Sequence, residues 1–253
     1  MNGYRKFRRQ ILKIIKILKR TAEGAVDLLF PRRCPVCDGI VREPGEKICL
    51  SCLKKLKLLT PPWCLCCGKK LSEEAEYCPE CGEAEQPFVR GRMLYEYQSA
   101  APAIYRFKYG GRREYADFFG EQVSLYLGDF IKSAAPQALV PIPLHKKRER
   151  KRGYNQADLL AQSIGRRMGV PVLRRTLVRT KNTAPLKRLN PQERQNNLKK
   201  AFKIARNDVE LKTIIIIDDI YTTGSTIKEA ARVLKQAGAE KIYFITLAGG
   251  SGI

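Results

Sequence analysis

A run of aliphatic residues that leads directly into two carboxylates constrains this chain more than any other feature. Ile214–Ile217 predict a strand buried on both faces, because such runs are typical of parallel sheets that helices cover on both sides. After the carboxylates and a short loop, a helix is predicted from Gly224 to Ala237. Strand and helix patterns alternate through the rest of the second half. The sequence therefore predicts an α/β fold with a mostly parallel sheet and helices on both faces.

The predicted elements divide the chain into three parts. The predicted strands are Phe88–Tyr97, Leu139–Pro143, Thr213–Ile217 and Lys241–Leu247. The predicted helices are Ala100–Tyr109, Tyr115–Ser133, Gln156–Met168, Pro191–Lys199 and Gly224–Ala237. A basic irregular stretch is predicted between Met168 and about Asn190. A polar stretch before Pro87 suggests a boundary there. We predict a basic amphipathic helix at 1–30, a cysteine module at 31–86 and the α/β domain at 87–253.

The segment after the isoleucine strand carries the groups needed to bind a phosphorylated sugar. Adjacent carboxylates at the carboxyl end of a strand can accept hydrogen bonds from vicinal ribose hydroxyls. A glycine and several hydroxyls at a helix N-terminus suit a phosphate group. The residues are Asp218, Asp219, Thr222, Thr223, Gly224, Ser225 and Thr226. The simpler alternative is a buried strand followed by a capped helix, which explains one oxygen-bearing residue but not this ordered set.

This pattern looks like the 5-phosphoribosyl 1-pyrophosphate (PRPP) motif of type I phosphoribosyltransferases. The resemblance implies that Asp218 and Asp219 bind the ribose hydroxyls and that Thr222–Thr226 bind the 5-phosphate, with Mg²⁺ accompanying PRPP. The predicted strand that ends at Val140–His145 leads into a predicted loop of basic residues, which could contact pyrophosphate or could be a solvated charge run. The candidate pyrophosphate ligands are Lys108, Lys146, Lys147, Arg148 and Arg152. His145 is the only histidine, which is weak evidence for catalysis.

Eight cysteines form four Cys-x-x-Cys pairs in the predicted cysteine module. Consecutive pairs give two sets of four thiolates, each able to close a tetrahedral Zn²⁺ site: Cys34, Cys37, Cys49 and Cys52; and Cys64, Cys67, Cys78 and Cys81. We expect two structural zinc ions in a zinc-ribbon-like module, although interleaved pairing or a single occupied site is also possible. Cys66 is the spare cysteine, and it could compete as a ligand. A closed four-sulfur site has no position for substrate, so no catalytic role is expected.

Basic residues suggest a polyanionic partner. The chain has 48 Lys and Arg against 25 Asp and Glu, a net charge of +23 that could also serve solubility alone. The predicted helix Tyr4–Phe30 could bind an anionic surface or partner, or pack on the protein's own body. Trp63 and nearby lysines could form a surface for single-stranded DNA, or the module could be a lid or an oligomer contact: the lysines are Lys54, Lys55, Lys57, Lys69 and Lys70.

Three further stretches extend the resemblance over nearly the whole chain after about residue 25. They are Leu28–Cys37, Phe107–Arg112 and Arg152–Ala157, which reads R-G-Y-N-Q-A. Together with the cysteine pairs and the PRPP motif, they resemble the ComF competence family. This resemblance implies a cytoplasmic protein that handles incoming single-stranded DNA in natural transformation, together with other competence proteins. It implies a phosphoribosyltransferase fold without implying turnover.

The sequence therefore favours two functions. The first is a DNA-handling protein with PRPP or a related compound as ligand. The second is transfer of phosphoribosyl from PRPP to an acceptor base or amine, in which Lys108, Arg148, Arg152 and Mg²⁺ would neutralise the departing pyrophosphate. The sequence assigns no slot for an acceptor base, and Tyr154 and Tyr221 are no more than candidates for one. The sequence shows neither a transmembrane run nor a signal peptide, so a cytoplasmic location with reduced cysteines is expected.

Overall fold

A computed structural model of the chain describes residues 31–43, 45–72, 75–180, 201–205 and 212–249. The chain divides into two compact units, Met1–Lys54 and Lys55–Ile253. The second set of cysteines therefore shares a unit with the α/β sheet, while the predicted three-part division stays a prediction. The predicted helices Tyr4–Phe30 and Pro191–Lys199 lie outside the described residues.

Among its described residues, the first unit contains a cysteine turn and a short helix, α1 (Leu50–Leu53). In the turn, the N–H of Asp38 donates to the carbonyl of Cys34, and the N–H of Cys34 donates to the carbonyl of Gly39. Cys49 is the N-cap residue of α1. The turn and the helix each supply two of the four cysteines of this unit.

The second unit contains the α/β sheet and its helices. In chain order its elements are α2 (Pro79–Gly82), β1 (Arg90–Glu96), α3 (Tyr97–Tyr109), α4 (Tyr115–Tyr126), α5 (Gly128–Ala134), β2 (Ala138–Pro141), α6 (Lys146–Arg152), α7 (Gln156–Met168), β3 (Leu177–Arg179), β4 (Phe202–Ile204), β5 (Thr213–Tyr221), α8 (Ser225–Gln236) and β6 (Lys241–Gly249).

Four of these strands form a parallel sheet in the order β1-β6-β5-β2. In the centre of the sheet Ile216 of β5 lies between Val140 of β2 and Phe244 of β6. Every residue of Ile214–Ile217 is fully buried, so both faces of β5 are covered. This confirms the predicted fold class. A separate antiparallel pair, β3 and β4, was not predicted.

Apart from shifts in the ends of elements, two predictions differ from the structure in the number or type of elements. The predicted helix Tyr115–Ser133 is two helices, which separate at Leu127 with φ −115° and ψ 11°. Gly128 follows, and glycine is a poor residue for a helix interior. The basic run after His145 was predicted as a loop but forms α6, which has the His145 side chain as its N-cap and ends at Gly153 with φ +83°. Glycine suits this left-handed helix end because it has no Cβ.

The second cysteine segment covers the outer edge of the sheet at β1. The N–H of Gly91 donates to the carbonyl of Cys66, and the N–H of Glu96 donates to the carbonyl of Lys57. Leu59 donates to the carbonyl of Leu94 in the opposite direction. An exposed edge strand would leave these groups free to pair with another chain. The segment therefore completes the sheet.

Candidate functional site

The two predicted carboxylates lie at the carboxyl end of β5. The sequence predicted that the strand ends at Ile217 and that the two carboxylates follow it. The strand continues to Tyr221 instead, so Asp218 and Asp219 are strand residues. They are 8% and 5% exposed. Parallel sheets bind ligands at this end of their strands. Buried carboxylates require partners, and those partners outline the site.

Asp219 has two partners from distant parts of the chain. The Lys108 Nζ, at the end of α3, lies 2.6 Å from one carboxylate oxygen of Asp219. The Gln156 Nε2, at the start of α7, donates to the other oxygen. Arg152 donates in turn to the Gln156 Oε1. These hydrogen bonds thus connect Arg152, predicted to bind pyrophosphate, through Gln156 to Asp219, predicted to bind ribose.

Gln156 was missed as a site residue. It belongs to the Arg152–Ala157 stretch, which in the sequence indicates only the family resemblance. Its 4% exposure and its contact with Asp219 place it within the candidate site. A glutamine within a specific motif at the start of a predicted helix was the available signal.

The residues before Gln156 fix its position. The Asn155 Oδ1 caps α7 by accepting from the N–H of Ala157 at 3.1 Å, and its Nδ2 donates to the carbonyl of Ile142 at 2.9 Å. The Tyr154 hydroxyl donates to the carbonyl of Phe107 on α3. These bonds tie the start of α7 to the end of β2 and to α3. The stretch is therefore a junction that brings Gln156 and Lys108 to the same carboxylate.

Asp218 lies in a less favourable environment for a charge. Burial, together with the neighbouring charge of Asp219, raises the pKa of Asp218 to about 7, although Lys108 and Arg179 act in the opposite direction. The N–H of Asp219 donates to the Asp218 Oδ1 at 2.8 Å. Burial lowers the pKa of Arg179, on β3, and so does the charge of Arg148. Arg179 had no sequence signal, because β3 itself was not predicted.

The loop after β5 has the geometry of an anion site. Gly224 has φ +71° and is the N-cap residue of α8, and a Cβ at this position would overlap the ring and hydroxyl of Tyr221. The Thr223 and Ser225 hydroxyls lie 2.8 Å apart. Thr222, Thr223, Ser225 and Thr226 are all half-buried around Gly224. The first N–H groups of a helix have no partner within the helix, so this end suits a phosphate.

The predicted basic ligands separate into two groups. Lys108 contacts Asp219 directly, and Arg152 contacts it through Gln156. Arg148 is close enough for its charge to lower the pKa of Arg179. The side chains of Lys146 and Lys147 form no hydrogen bond or ion pair with another described residue. His145 caps α6, because its Nδ1 accepts from the N–H of Lys147 at 3.3 Å. This contact gives the histidine a structural task.

Neither tyrosine considered for an acceptor slot presents a free ring face. Tyr221 is 1% exposed and stacks on Phe244 with ring centroids 5.0 Å apart. Tyr154 is 6% exposed and packs near Phe107, while Arg113 lies over its ring. Burial raises the pKa of both hydroxyls. Both residues therefore support the backbone around the site.

The eight predicted zinc ligands form two clusters in consecutive order. Cys34, Cys37, Cys49 and Cys52 make one set and Cys64, Cys67, Cys78 and Cys81 the other, with the sulfur atoms of each set within 4.8 Å of one another. This excludes interleaved pairing of the eight residues.

Distances between the sulfur atoms fit a tetrahedral metal. The Sγ atoms of Cys37 and Cys49 are 3.9 Å apart, and those of Cys67 and Cys78 are 3.8 Å apart. Bonds of about 2.3 Å to a tetrahedral Zn²⁺ give sulfur atoms about 3.8 Å apart, whereas a disulfide is about 2.05 Å long.

The thiol pKa values show why such clusters need a cation. Burial opposes the Cys64 thiolate, but the backbone N–H groups of Cys78, Cys67 and Cys66 outweigh it and lower the pKa of Cys64 to about 7. Burial and the nearby thiolates raise the pKa of Cys67 to about 12 and that of Cys49 to about 12. Four thiolates this close repel one another, and a divalent metal removes that cost. The residues present therefore fit structural zinc.

The surface predicted around Trp63 is partly used within the protein. The Arg92 guanidinium lies 5.2 Å from the centroid of the half-buried Trp63 ring. The Lys70 Nζ is 2.5 Å from a carboxylate oxygen of Glu96. The ring and one of the predicted lysines thus have partners in the protein itself.

Comparisons with known proteins agree with this architecture. Residues 25–82 match the double zinc ribbon domain family, and residues 150–252 match the phosphoribosyl transferase domain family. Across the described residues, none of the helices has the length and apolar character that crossing a membrane requires.

Curated relatives match most of the chain. Competence protein ComFC of Bacillus subtilis is 36% identical over 250 residues, covering 87% of this chain and 95% of that protein. Competence protein F of Haemophilus influenzae is 31% identical over 225 residues, covering 87% of this chain and 97% of that protein. DNA utilization protein YhgH of Escherichia coli is 28% identical over 219 residues, covering 79% and 94%. The chain belongs to the ComF family of competence proteins, with a phosphoribosyltransferase domain and a double zinc ribbon.

Proposed function

We propose that the protein binds PRPP, or a closely related phosphoribosyl compound, at the end of β5 and handles single-stranded DNA during DNA uptake. The observation that carries the ligand assignment is the convergence of Lys108 and Gln156 on Asp219, beside Asp218 and the glycine loop before α8. A structural role alone would not require two adjacent buried carboxylates at a ligand-binding strand end.

In this proposal each part of the ligand has its own group of residues. The ribose hydroxyls donate to Asp218 and Asp219, and the 5-phosphate accepts from the N-terminal amides of α8 and the hydroxyls of Thr222–Thr226. Lys108 and Arg152 lie on the Asp219 side, where they can neutralise the pyrophosphate. Mg²⁺ would accompany the pyrophosphate, and the Asp218 carboxylate is an oxygen ligand of the kind that Mg²⁺ prefers.

The DNA part of the proposal rests on charge and on the relatives. A net charge of +23 favours a polyanion. Two of the relatives are named competence proteins, and a third is named a DNA utilization protein. We place the protein in the cytoplasm, with two structural zinc ions and with other competence or DNA-processing proteins as partners.

A second candidate function is phosphoribosyl transfer to an acceptor base or amine. It is favoured by the two cations, Lys108 and Arg152, that meet at the Asp219 network, where a departing pyrophosphate would lie. Neutralising that charge in a water-poor site would stabilise an oxocarbenium-like transition state. Pyrophosphate release on addition of PRPP, Mg²⁺ and a series of bases would support transfer.

The decisive experiment is a titration of the zinc-loaded protein with labelled single-stranded DNA at two salt concentrations, with and without PRPP and Mg²⁺. We expect salt-sensitive binding that shifts with PRPP in the parent and does not shift in Asp218→Ala/Asp219→Ala. Asp129→Ala is the matched control, because this aspartate is fully exposed on α5. Isothermal titration with PRPP separates the two parts: PRPP binding without any DNA binding would refute DNA handling and leave the enzyme.

A further inference from the structure

Two tyrosines on α3 expose large ring surfaces that the fold does not use. Tyr105 and Tyr109 are 60% and 61% exposed, with ring centroids 4.9 Å apart. The opposite face of α3 provides the packing, through Ala100, Ala103, Ile104 and Phe107, which are all buried. Aromatic rings that stay in water make no contribution to the core, so their presence points to an external partner.

A cation lies over the outer ring. The Arg152 guanidinium is 4.8 Å from the Tyr109 ring centroid, a distance that permits a cation–π contact. Arg152 is the last residue of α6, whose sequence Lys-Lys-Arg-Glu-Arg-Lys-Arg contains six basic residues and has no buried side chain. Lys146, Lys147, Arg150 and Lys151 are exposed, so the helix that ends beside the tyrosines has four exposed basic groups.

We infer that Tyr105 and Tyr109 form a stacking surface for the bases of a single strand of nucleic acid, with α6 contacting its phosphates. Rings that stack on successive bases beside basic residues that contact the backbone are what sequence-independent single-strand binding requires. Paired bases in a duplex do not offer their faces. The inference rests on the proposed DNA-handling function and gives it a place on the molecule that differs from the surface predicted around Trp63.

This surface is directly connected to the proposed phosphoribosyl site. Arg152 contacts Tyr109 on the outside and donates to Gln156 on the inside, and Gln156 donates to Asp219. Lys108, which pairs with Asp219, is adjacent to Tyr109 in the sequence. A ligand that displaces Gln156 from Asp219 would change the position of Arg152 relative to the Tyr109 ring, because Arg152 donates to Gln156. Strand binding and PRPP binding are therefore coupled through a short path.

The test compares Tyr105→Ala/Tyr109→Ala with Tyr105→Phe/Tyr109→Phe in the full-length zinc-loaded protein, using anisotropy of a labelled thymidine oligonucleotide. Base stacking on an aromatic ring typically weakens about 5-fold to 150-fold when that ring is removed. We expect a loss in this range for each alanine and near-parent affinity for the phenylalanine variant. Tyr126→Ala removes a tyrosine of 50% exposure at the end of α4 and should bind as the parent does.

The salt dependence separates stacking from charge. Removing the rings should lower the affinity without changing the slope of log Kd against log salt, because no phosphate contact is lost. Lys147→Ala should reduce that slope by about 1, because one phosphate contact and its counterion release are lost.

Three results would overturn the inference. Parent-like binding by the alanine variant would place the strand elsewhere and leave DNA handling intact. Absence of binding in the parent would refute the DNA function and this inference with it. Loss of binding to free nucleobases in the presence of PRPP, with oligonucleotide affinity unchanged, would assign the rings to an acceptor site of the enzyme.

Discussion

Replacing Asp218 by asparagine is expected to change how the stability of the protein depends on pH. Burial and the charge of Asp219 raise the pKa of Asp218 to about 7 in the folded protein, whereas an aspartate in an unfolded chain has a pKa of about 3.9. The folded state therefore binds the proton more tightly. The free energy of unfolding should fall as pH rises from about 4 to about 7, and it should level off above that.

The size of the effect follows from the two pKa values. A tenfold change in proton affinity is about 1.4 kcal/mol, so the difference between about 7 and about 3.9 corresponds to about 4 kcal/mol in total. About half of this, roughly 2 kcal/mol, is lost between about pH 5.5 and about pH 8.5, because the unfolded carboxyl is already ionised at the lower pH. Asparagine has no proton to lose, so Asp218→Asn should lack this part of the pH dependence.

Urea unfolding across that pH range, in a buffer of constant free zinc, measures the difference. The fluorescence of Trp63, the single tryptophan, reports on the second unit, in which it is half-buried. Asp129→Asn makes the same chemical change at a fully exposed carboxylate and should follow the parent. Parallel curves for the parent and Asp218→Asn would refute the reasoning, because they would mean that Lys108 and Arg179 fully stabilise the buried charge.

Three further outcomes are expected. Gly224→Ala should abolish PRPP binding, because its Cβ overlaps Tyr221. It should also lower the free energy of unfolding by more than the cost of left-handed backbone strain alone, which is about 1–2 kcal/mol. Gly111→Ala, at φ +70° with open space around it, should show only that strain in thermal unfolding. Asn155→Ala should lose about 1–3 kcal/mol in urea unfolding and weaken PRPP binding in calorimetry, because a helix cap and a buried hydrogen bond disappear together. Cys64→Ser should lower the zinc content and the melting temperature, whereas Cys66→Ser should retain two zinc ions by metal analysis.

Much of the architecture could be predicted because its signals are local. The isoleucine run of β5 and the glycine at the start of α8 each depend on neighbours in the sequence. Paired cysteines with short spacers predicted the metal clusters, because a turn with two thiolates is a local unit. The helix α6 was wrongly predicted as a loop, since a run of like charges indicates solvation and the His145 cap was not recognised.

The composition of the site could be predicted only in part, because its contacts connect distant residues. Gln156 meets Asp219 across 63 positions in the sequence, and the junction that places it bonds Tyr154 to Phe107 across 47. Arg179 lies on a strand too short to leave a periodic pattern. No local pattern reports which of several lysines and arginines reaches a given carboxylate.

By itself, the sequence determined the fold class and identified the eight paired cysteines, and it predicted a phosphate-binding segment, because each of these depends on residues close together in the sequence. Only the tertiary structure decided that Lys108 and Gln156 both contact Asp219. It also decided that the Arg92 guanidinium lies over the Trp63 ring, and that Tyr105 and Tyr109 remain exposed. Exposure and pairing depend on how helices pack on the sheet. That packing depends on the whole hydrophobic core, whereas a sequence motif depends only on residues that are close together in the chain.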